Sequence, residues 1–178
     1  MGGVDQQLRI MTVCTGNICR SPMAEVVLRE RLVDAGLAGQ VVVDSTGTTG
    51  YEVGSPIDPR ARRVLLDAGY SDPGIGGHRA RQVSVGDLRE RDLVLAATQD
   101  HVRALRRVLG LRPSDDDGAP HVRLIRSFDD ASGPVDLADP WYGGPADFEQ
   151  CLAEIEATVD GILATLPTLL PAAPLPPK

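Results

Sequence analysis

Short apolar runs alternate with amphipathic stretches along most of this chain. Residues 8–13 form a mostly apolar run that predicts a buried strand. Ser21 at an N-cap and Pro22 at N1 then open a helical pattern, with Ala24, Val27, Leu28, Leu32 and Ala35 recurring on one face before Gly36 stops it. A second strand is predicted over 41–44, followed by a Gly-rich loop holding Tyr51. Asp58-Pro59 starts a further helix, with Val64, Leu65 and Ala68 inward and Gly69 at its end. Residues 93–97 read as a third strand. Val102, Leu105, Val108 and Leu109 mark a helix closed by Gly110, and 122–125 makes a fourth strand. The last helix carries Phe148, Cys151, Leu152, Ile155, Val159, Ile162 and Leu163 on one face until Pro167 stops it, which makes Cys151 a core residue. Alternating strands and helices imply an α/β fold: a doubly wound, four-stranded parallel sheet with helices on both faces, as in flavodoxin-like and Rossmann-like proteins. In such folds ligands bind beyond the carboxyl ends of the strands. A single domain is expected over 1–170, with an exposed acidic loop at 113–118 and a Pro-rich flexible tail at 171–178.

The chemistry concentrates where the first strand meets the first helix. Cys14-Thr15-Gly16-Asn17-Ile18-Cys19-Arg20-Ser21 places a thiol and a guanidinium around a loop that ends at a helix N-terminus. There, backbone N–H groups without intrahelical partners and the helix dipole stabilise an anion, and equally a thiolate. Thr15, Gly16, Asn17, Ile18, Cys19 and Arg20 are therefore the expected phosphate-binding residues, with Cys14 as nucleophile. Arg20 offers a fork of donors matching two phosphoryl oxygens. Gly16 admits close approach of an anion, Asn17 tolerates a left-handed turn, and Ser21 can donate a hydroxyl proton to the Cys14 sulfur.

Composition narrows the picture. With 178 residues and 42% hydrophobic content, one domain with a sizeable core is the default. A formal charge of −7 argues against nucleic acid as a partner. The three cysteines are too few for a secreted disulfide framework, and Cys14 with Cys19 has neither the spacing nor the partners of a zinc site. No metal and no cofactor is expected. No apolar run is long enough for a membrane span and residues 1–7 do not resemble a signal peptide, so a cytoplasmic, non-membrane, monomeric protein is expected, although export without a leader is compatible with the sequence.

Residues 13–25 (VCTGNICRSPMAE) resemble the signature of the low-molecular-weight protein tyrosine phosphatases, and the chain resembles their bacterial, actinobacterial-type members over nearly its whole length. Asp139-Pro140-Trp141-Tyr142-Gly143 is similar to the family's Asp-Pro-aromatic-Tyr-Gly loop, and His78-Arg79-Ala80-Arg81-Gln82 to the segment whose histidine braces the loop asparagine. The resemblance implies hydrolysis of phosphotyrosine through a phosphocysteine, with Cys14 as nucleophile, Arg20 as phosphate and transition-state binder, and Asp139 as general acid. Asn17, Ser21 and His78 become structural supports. Tyrosine-phosphorylated proteins are the implied partners, a cognate tyrosine kinase among the open candidates.

Taken alone, Asp-Pro is also an ordinary turn signal. Chemistry favours the acid: a nearby carboxyl that protonates an expelled phenolate typically accelerates its departure by roughly 10²–10⁴-fold. Tyr51, Trp141 and Tyr142 are expected to wall the site and favour a phenyl ring over the shorter phosphoserine, although each could be a surface or packing aromatic. The chain departs from many relatives in having Trp141 for Tyr and Ala97-Thr98 for Met-Asp. Three other readings compete. Arsenate reductases of this fold need further cysteines, and none lies between Cys19 and Cys151. Arginine phosphatases usually carry Thr at the place of Ile18. A non-catalytic phosphopeptide-binding module would have lost Cys14 or Asp139. Cys19 stays open between a redox partner for Cys14 and a residue that packs beneath the loop.

Overall fold

The computed structural model describes residues 7–71, 73–115, 118–130 and 135–170. The tail at 171–178, together with Asp116 and Asp117 of the acidic loop, lies outside the described residues. Strands β1 (Leu8–Cys14), β2 (Val41–Gly47), β3 (Leu93–Ala96) and β4 (Val122–Leu124) form a sheet in the order β2-β1-β3-β4. All three pairings are parallel, as expected. The chain leaves β1 toward β2 and later returns to β1's other edge as β3, and this reversal opens a crevice beyond the carboxyl ends of β1 and β3. Cys14, the last residue of β1, stands at that crevice.

Helices cover both faces. On one, α1 (Arg20–Asp34), α2 (Pro59–Asp67) and α6 (Pro145–Leu169) bury Met23, Leu28, Leu65, Phe148 and Ile155 against Ile10, Val43 and Leu95. The short α3 (Gly74–Gly77) adds Ile75 to the same core. On the other face, α4 (Val85–Glu90) and α5 (Gln99–Val108) bring Leu88 and Leu105 onto Met11, Val13, Val94 and Ala96. Because β1 is buried on both sides, its sequence reads as a nearly continuous apolar run rather than an alternation.

Several local expectations need correction. Helix α1 begins at Arg20 with Cys19 as its N-cap residue, so Ser21 is not the cap; its hydroxyl is committed to the loop instead. Ala35, Ala68 and Val108 are exposed, since each lies at a helix end that has turned away from the sheet, and Ala61 fills the inward place in α2. Strand β2 continues to Gly47 because Ser45, Thr46 and Gly47 pair with Thr12, Val13 and Cys14. Strand β3 ends at Ala96, and β4 at Leu124, where a 3-10 turn (Ile125–Phe128) starts. Pro167 does not stop α6, which runs through it to Leu169 while fully buried Leu166 holds that last turn to the core. Two helices escaped the periodicity: α3 is glycine-rich, and α4 is only six residues long, closed at its start by a reciprocal capping box between Ser84 and Asp87.

Helix α6 packs on the 3-10 turn so closely that a Cβ at Gly161 would overlap the Phe128 carbonyl oxygen. Alanine is favoured over glycine in a helix by about 1 kcal/mol, but forcing a backbone carbonyl aside costs about 1–3 kcal/mol. Gly161→Ala is therefore expected to lower the Tm measured by calorimetry, by roughly 2–4 °C for each net kcal/mol. An unchanged or raised Tm would contradict this packing.

Candidate active site

The loop between β1 and α1 wraps the end of the sheet. Asn17 sits at its bend with φ 60°, the left-handed conformation anticipated from its residue type. Its side chain is fully buried and fully used: Nδ2 donates to Ser21 Oγ and Ser45 Oγ, each at 2.9 Å, and Oδ1 accepts from the Arg81 backbone N–H at 3.0 Å. The Asn17 carbonyl faces His78 Nε2 at 2.6 Å. Burial lowers the pKa of His78 despite the opposing pull of that carbonyl, so the ring is neutral, and a carbonyl can only accept; Nε2 therefore carries the proton. Behind Asn17, Ser45 Oγ donates to the buried carboxylate of Glu25.

Cys14 is 3% exposed, with Sγ 3.1 Å from Ser21 Oγ. The same hydroxyl accepts from Asn17 and lies 3.2 Å from the Thr46 carbonyl, so its single proton can serve either that carbonyl or the sulfur. Among the described residues, no backbone N–H from Thr15 to Cys19 takes part in a backbone hydrogen bond, which leaves these donors available to an anion. The tight contact in this region is at Gly47 rather than Gly16. A Cβ on Gly47 would come within 2.5 Å of the Thr15 carbonyl oxygen and 3.0 Å of the Asn17 nitrogen, whereas one on Gly16 would first meet the flexible Glu52 side chain at 3.2 Å.

Arg20 is buried under the loop, and what it holds is informative. Nη1 donates to the Leu137 carbonyl at 3.1 Å, and Nη2 lies 3.1 Å from Asp139 Oδ2. Leu137 N in turn donates to the Ala97 carbonyl, just past the end of β3. Two anchors thus deliver Asp139 to Arg20 across 119 positions of sequence. The second Asp139 oxygen accepts from Trp141 N at 3.1 Å, capping a 3-10 turn (Pro140–Tyr142) that carries the two aromatic residues.

These elements enclose a cleft of about 180 Å³, lined by Cys14, Arg20, Asp139, Tyr51, Trp141 and Tyr142 among others. All three aromatics anticipated as walls therefore border the same space as the thiol. Tyr51 and Tyr142 are almost wholly exposed, at 90% and 91%, and Trp141 is 42% exposed. Trp141 is braced from behind by Arg60, which donates to its carbonyl at 3.0 Å, lies 5.1 Å from its ring centroid, and pairs with Asp58. Asp58 N donates to the Ile18 carbonyl, so α2 ties the phosphate loop to the aromatic wall. Ile18 presents an apolar lining to the cleft.

Sequence reasoning missed Arg60, Gly47, Glu25 and His101. His101 is buried, with Nε2 2.8 Å from the Thr15 hydroxyl, and burial, followed by the nearby Arg20 charge, lowers its pKa to about 4. The only signal was Thr98, three residues upstream, whose capping box on α5 uses the His101 ring. Cys19 is buried, and burial together with Asp58 pushes its thiol above the ordinary range. Cys151 lies in the core as expected, its thiol raised to about 12 by burial. Among the described residues no cluster of three or more His, Cys, Asp or Glu is placed to hold a metal ion, and no helix is long and apolar enough to cross a membrane.

The chain matches the family model of the low molecular weight phosphotyrosine protein phosphatases over residues 9–169. It is 49% identical over 160 residues to a low molecular weight protein-tyrosine-phosphatase of Streptomyces coelicolor, covering 89% of this chain and 93% of that one. It is 43% identical over 157 residues to low molecular weight protein-tyrosine phosphatase A of Mycobacterium tuberculosis, covering 87% and 89% respectively. Its fold superposes on the crystal structure of YfkJ from Bacillus subtilis with a TM-score of 0.82 at 30% identity, covering 93% of this chain and 98% of that one. A thiol, a buried arginine and a remote aspartate converge in one cleft, and the likeness spans that cleft and the sheet beneath it: the chain belongs to the low molecular weight phosphotyrosine protein phosphatase family.

Proposed function

We propose that this protein hydrolyses phosphotyrosine in proteins through a phosphocysteine at Cys14. The observation that carries the reading is the convergence of Cys14, Arg20 and Asp139 in one cleft, although Asp139 is 119 residues from Arg20 in sequence. A phosphoryl group seated on the N–H groups of residues 15–19 accepts from the Arg20 fork, and the phenyl ring lies between Tyr51, Trp141 and Tyr142. Cys14 sulfur attacks phosphorus; the S–P bond forms as the P–O bond to the ring breaks, and Asp139 gives its proton to the departing phenolate. Water then attacks the phosphocysteine, Asp139 takes a proton from that water, and the thiolate leaves. Ser21 Oγ, 3.1 Å from the sulfur, turns its proton from the Thr46 carbonyl to the thiolate in both half-reactions. The loop donors and Arg20 supply charge stabilisation in place.

Ile18 in the cleft supports a phenyl ring over a guanidinium as the group bearing phosphate. Tyrosine-phosphorylated proteins are the proposed partners, and a monomer acting in the cytoplasm is the proposed setting.

The ion pair between Arg20 and Asp139 separates their roles experimentally. Asp139→Asn is expected to slow turnover of aryl phosphates by roughly 10²–10⁴-fold while leaving inorganic phosphate binding equal or tighter, because Arg20 is released from its carboxylate partner. Arg20→Ala is expected to weaken both. Steady-state kinetics with competitive phosphate inhibition reads the two; equal loss of phosphate binding in both variants would make Asp139 a structural residue.

Gly47→Ala is expected to displace the loop at Thr15 and Asn17, so that kcat/KM on p-nitrophenyl phosphate falls by on the order of tenfold or more while circular dichroism shows the sheet and helices retained. Undiminished activity would mean that the loop adapts to the added methyl.

Cys19 is buried within the nucleophile's own loop and stays a protonated thiol at neutral pH. If it traps an oxidised Cys14, wild type treated with peroxide recovers activity with dithiothreitol and Cys19→Ser does not; matching recovery would leave Cys19 a packing residue.

A further inference from the structure

Between the nucleophile and Arg20, Thr15 carries the one hydroxyl of the loop. Thr15 Oγ1 lies 2.8 Å from His101 Nε2 and 3.4 Å from Arg20 Nη2. On the far side of the imidazole, Nδ1 is 3.2 Å from the Thr98 backbone N–H and 2.9 Å from Thr98 Oγ1. The direction of this chain of hydrogen bonds follows from donor chemistry alone. A backbone N–H can only donate, so Nδ1 accepts; in a neutral ring the proton then sits on Nε2, which donates to Thr15 Oγ1. Arg20 can likewise only donate. Both lone pairs of the Thr15 hydroxyl thus face donors, and its proton is left for a third direction.

Thr15 lines the cleft with Cys14 and Arg20, so that third direction is where a phosphoryl oxygen would sit. We propose that His101 is a positioning residue which, by donating to Thr15 Oγ1, aims the Thr15 hydroxyl proton at the bound phosphoryl group and makes Thr15 a side-chain donor to it beside Arg20. The inference rests on the proposed phosphatase function, in that it names a further donor for the same anion. It explains why an imidazole is buried at the start of α5 and held from both sides: the opposite tautomer would aim Nδ1–H at the Thr98 N–H and leave Nε2 no proton for Thr15. The charged groups that bear on the ring are Arg20, which disfavours its protonation, and Asp139, Asp100 and Asp136, which favour it. Burial and Arg20 prevail, so the ring keeps a single N–H throughout the neutral range.

The test uses the full chain, with inorganic phosphate as the probe, read by calorimetry at neutral pH. A hydrogen bond to a charged group corresponds to a change on the order of tenfold or more in affinity. Thr15→Val is expected to weaken phosphate binding by that factor, and Thr15→Ser to restore it. His101→Leu is expected to weaken binding in the wild-type background and to add nothing in the Thr15→Val background, because its effect passes through the hydroxyl. Wild-type affinity in Thr15→Val, or full additivity of the two losses, would overturn the proposal. If His101→Leu fails to fold, the imidazole of the unaltered protein decides the matter by nitrogen-15 NMR: the proton on Nε2 is expected, and a proton on Nδ1 would overturn it. The expected pattern of phosphate affinities across the variants, together with no turnover of phosphotyrosine by the wild-type protein, would support the donor while contradicting the proposed function.

Discussion

The left-handed turn at Asn17 is the constraint on which the rest of the site depends. An ordinary residue in that conformation costs about 1–2 kcal/mol, and asparagine tolerates it at less. Four hydrogen bonds hold it there, two from Nδ2, one to Oδ1 and one to the carbonyl. At a net contribution of about 1 kcal/mol each, they outweigh the strain. Their sources are spread widely: Ser21 on α1, Ser45 on β2, and His78 and Arg81 after α3. The turn is therefore fixed by the tertiary fold rather than by local propensity. Once it is fixed, the N–H groups of residues 15–19 are directed by the backbone, and Gly47 provides the space in which the loop crosses the end of β2.

Arg20 extends this order to the opposite side of the cleft. Its guanidinium is 5% exposed and would be costly to bury without partners. The Leu137 carbonyl and Asp139 satisfy it, and in doing so they dock the segment carrying Trp141 and Tyr142 beside the thiol. Arg60 reinforces the arrangement from α2, bonding the Trp141 carbonyl while Asp58 neutralises its charge. The two groups proposed for phosphate binding and acid catalysis hold one another; in the proposed mechanism a phosphoryl dianion competes for Arg20 and frees the carboxyl for the leaving group.

What was legible in the sequence were the features written locally. The strand, loop and helix around Cys14, the αL asparagine, the Asp58-Pro59 helix start and the parallel sheet implied by alternation all follow from contiguous residues. The errors fell where tertiary contacts override local rules. Ser21 has the chemistry of an N-cap but spends its hydroxyl on Cys14 and Asn17, and Pro167 breaks a helical pattern that Leu166 nonetheless holds against the core. The roles of Gly47 and His101 at the site were not legible, because they arise from contacts with Thr15, 32 and 86 residues away in sequence; for His101 the Thr98 capping position marks only a helix start. A glycine at the end of a strand and a histidine in the first turn of a helix carry no mark of a partner in a distant loop.

The central claim is that phosphate passes through the Cys14 sulfur. Rapid acid quench of the enzyme during turnover of a phosphotyrosine peptide, followed by peptide mapping with mass spectrometry, tests it most directly, and accumulation should be greater in Asp139→Asn with an activated aryl phosphate, whose leaving group needs no acid. The account predicts a phosphoryl group on the peptide containing Cys14, at the sulfur. Turnover without any phosphoenzyme in that variant, or phosphate found on a different residue, would contradict it.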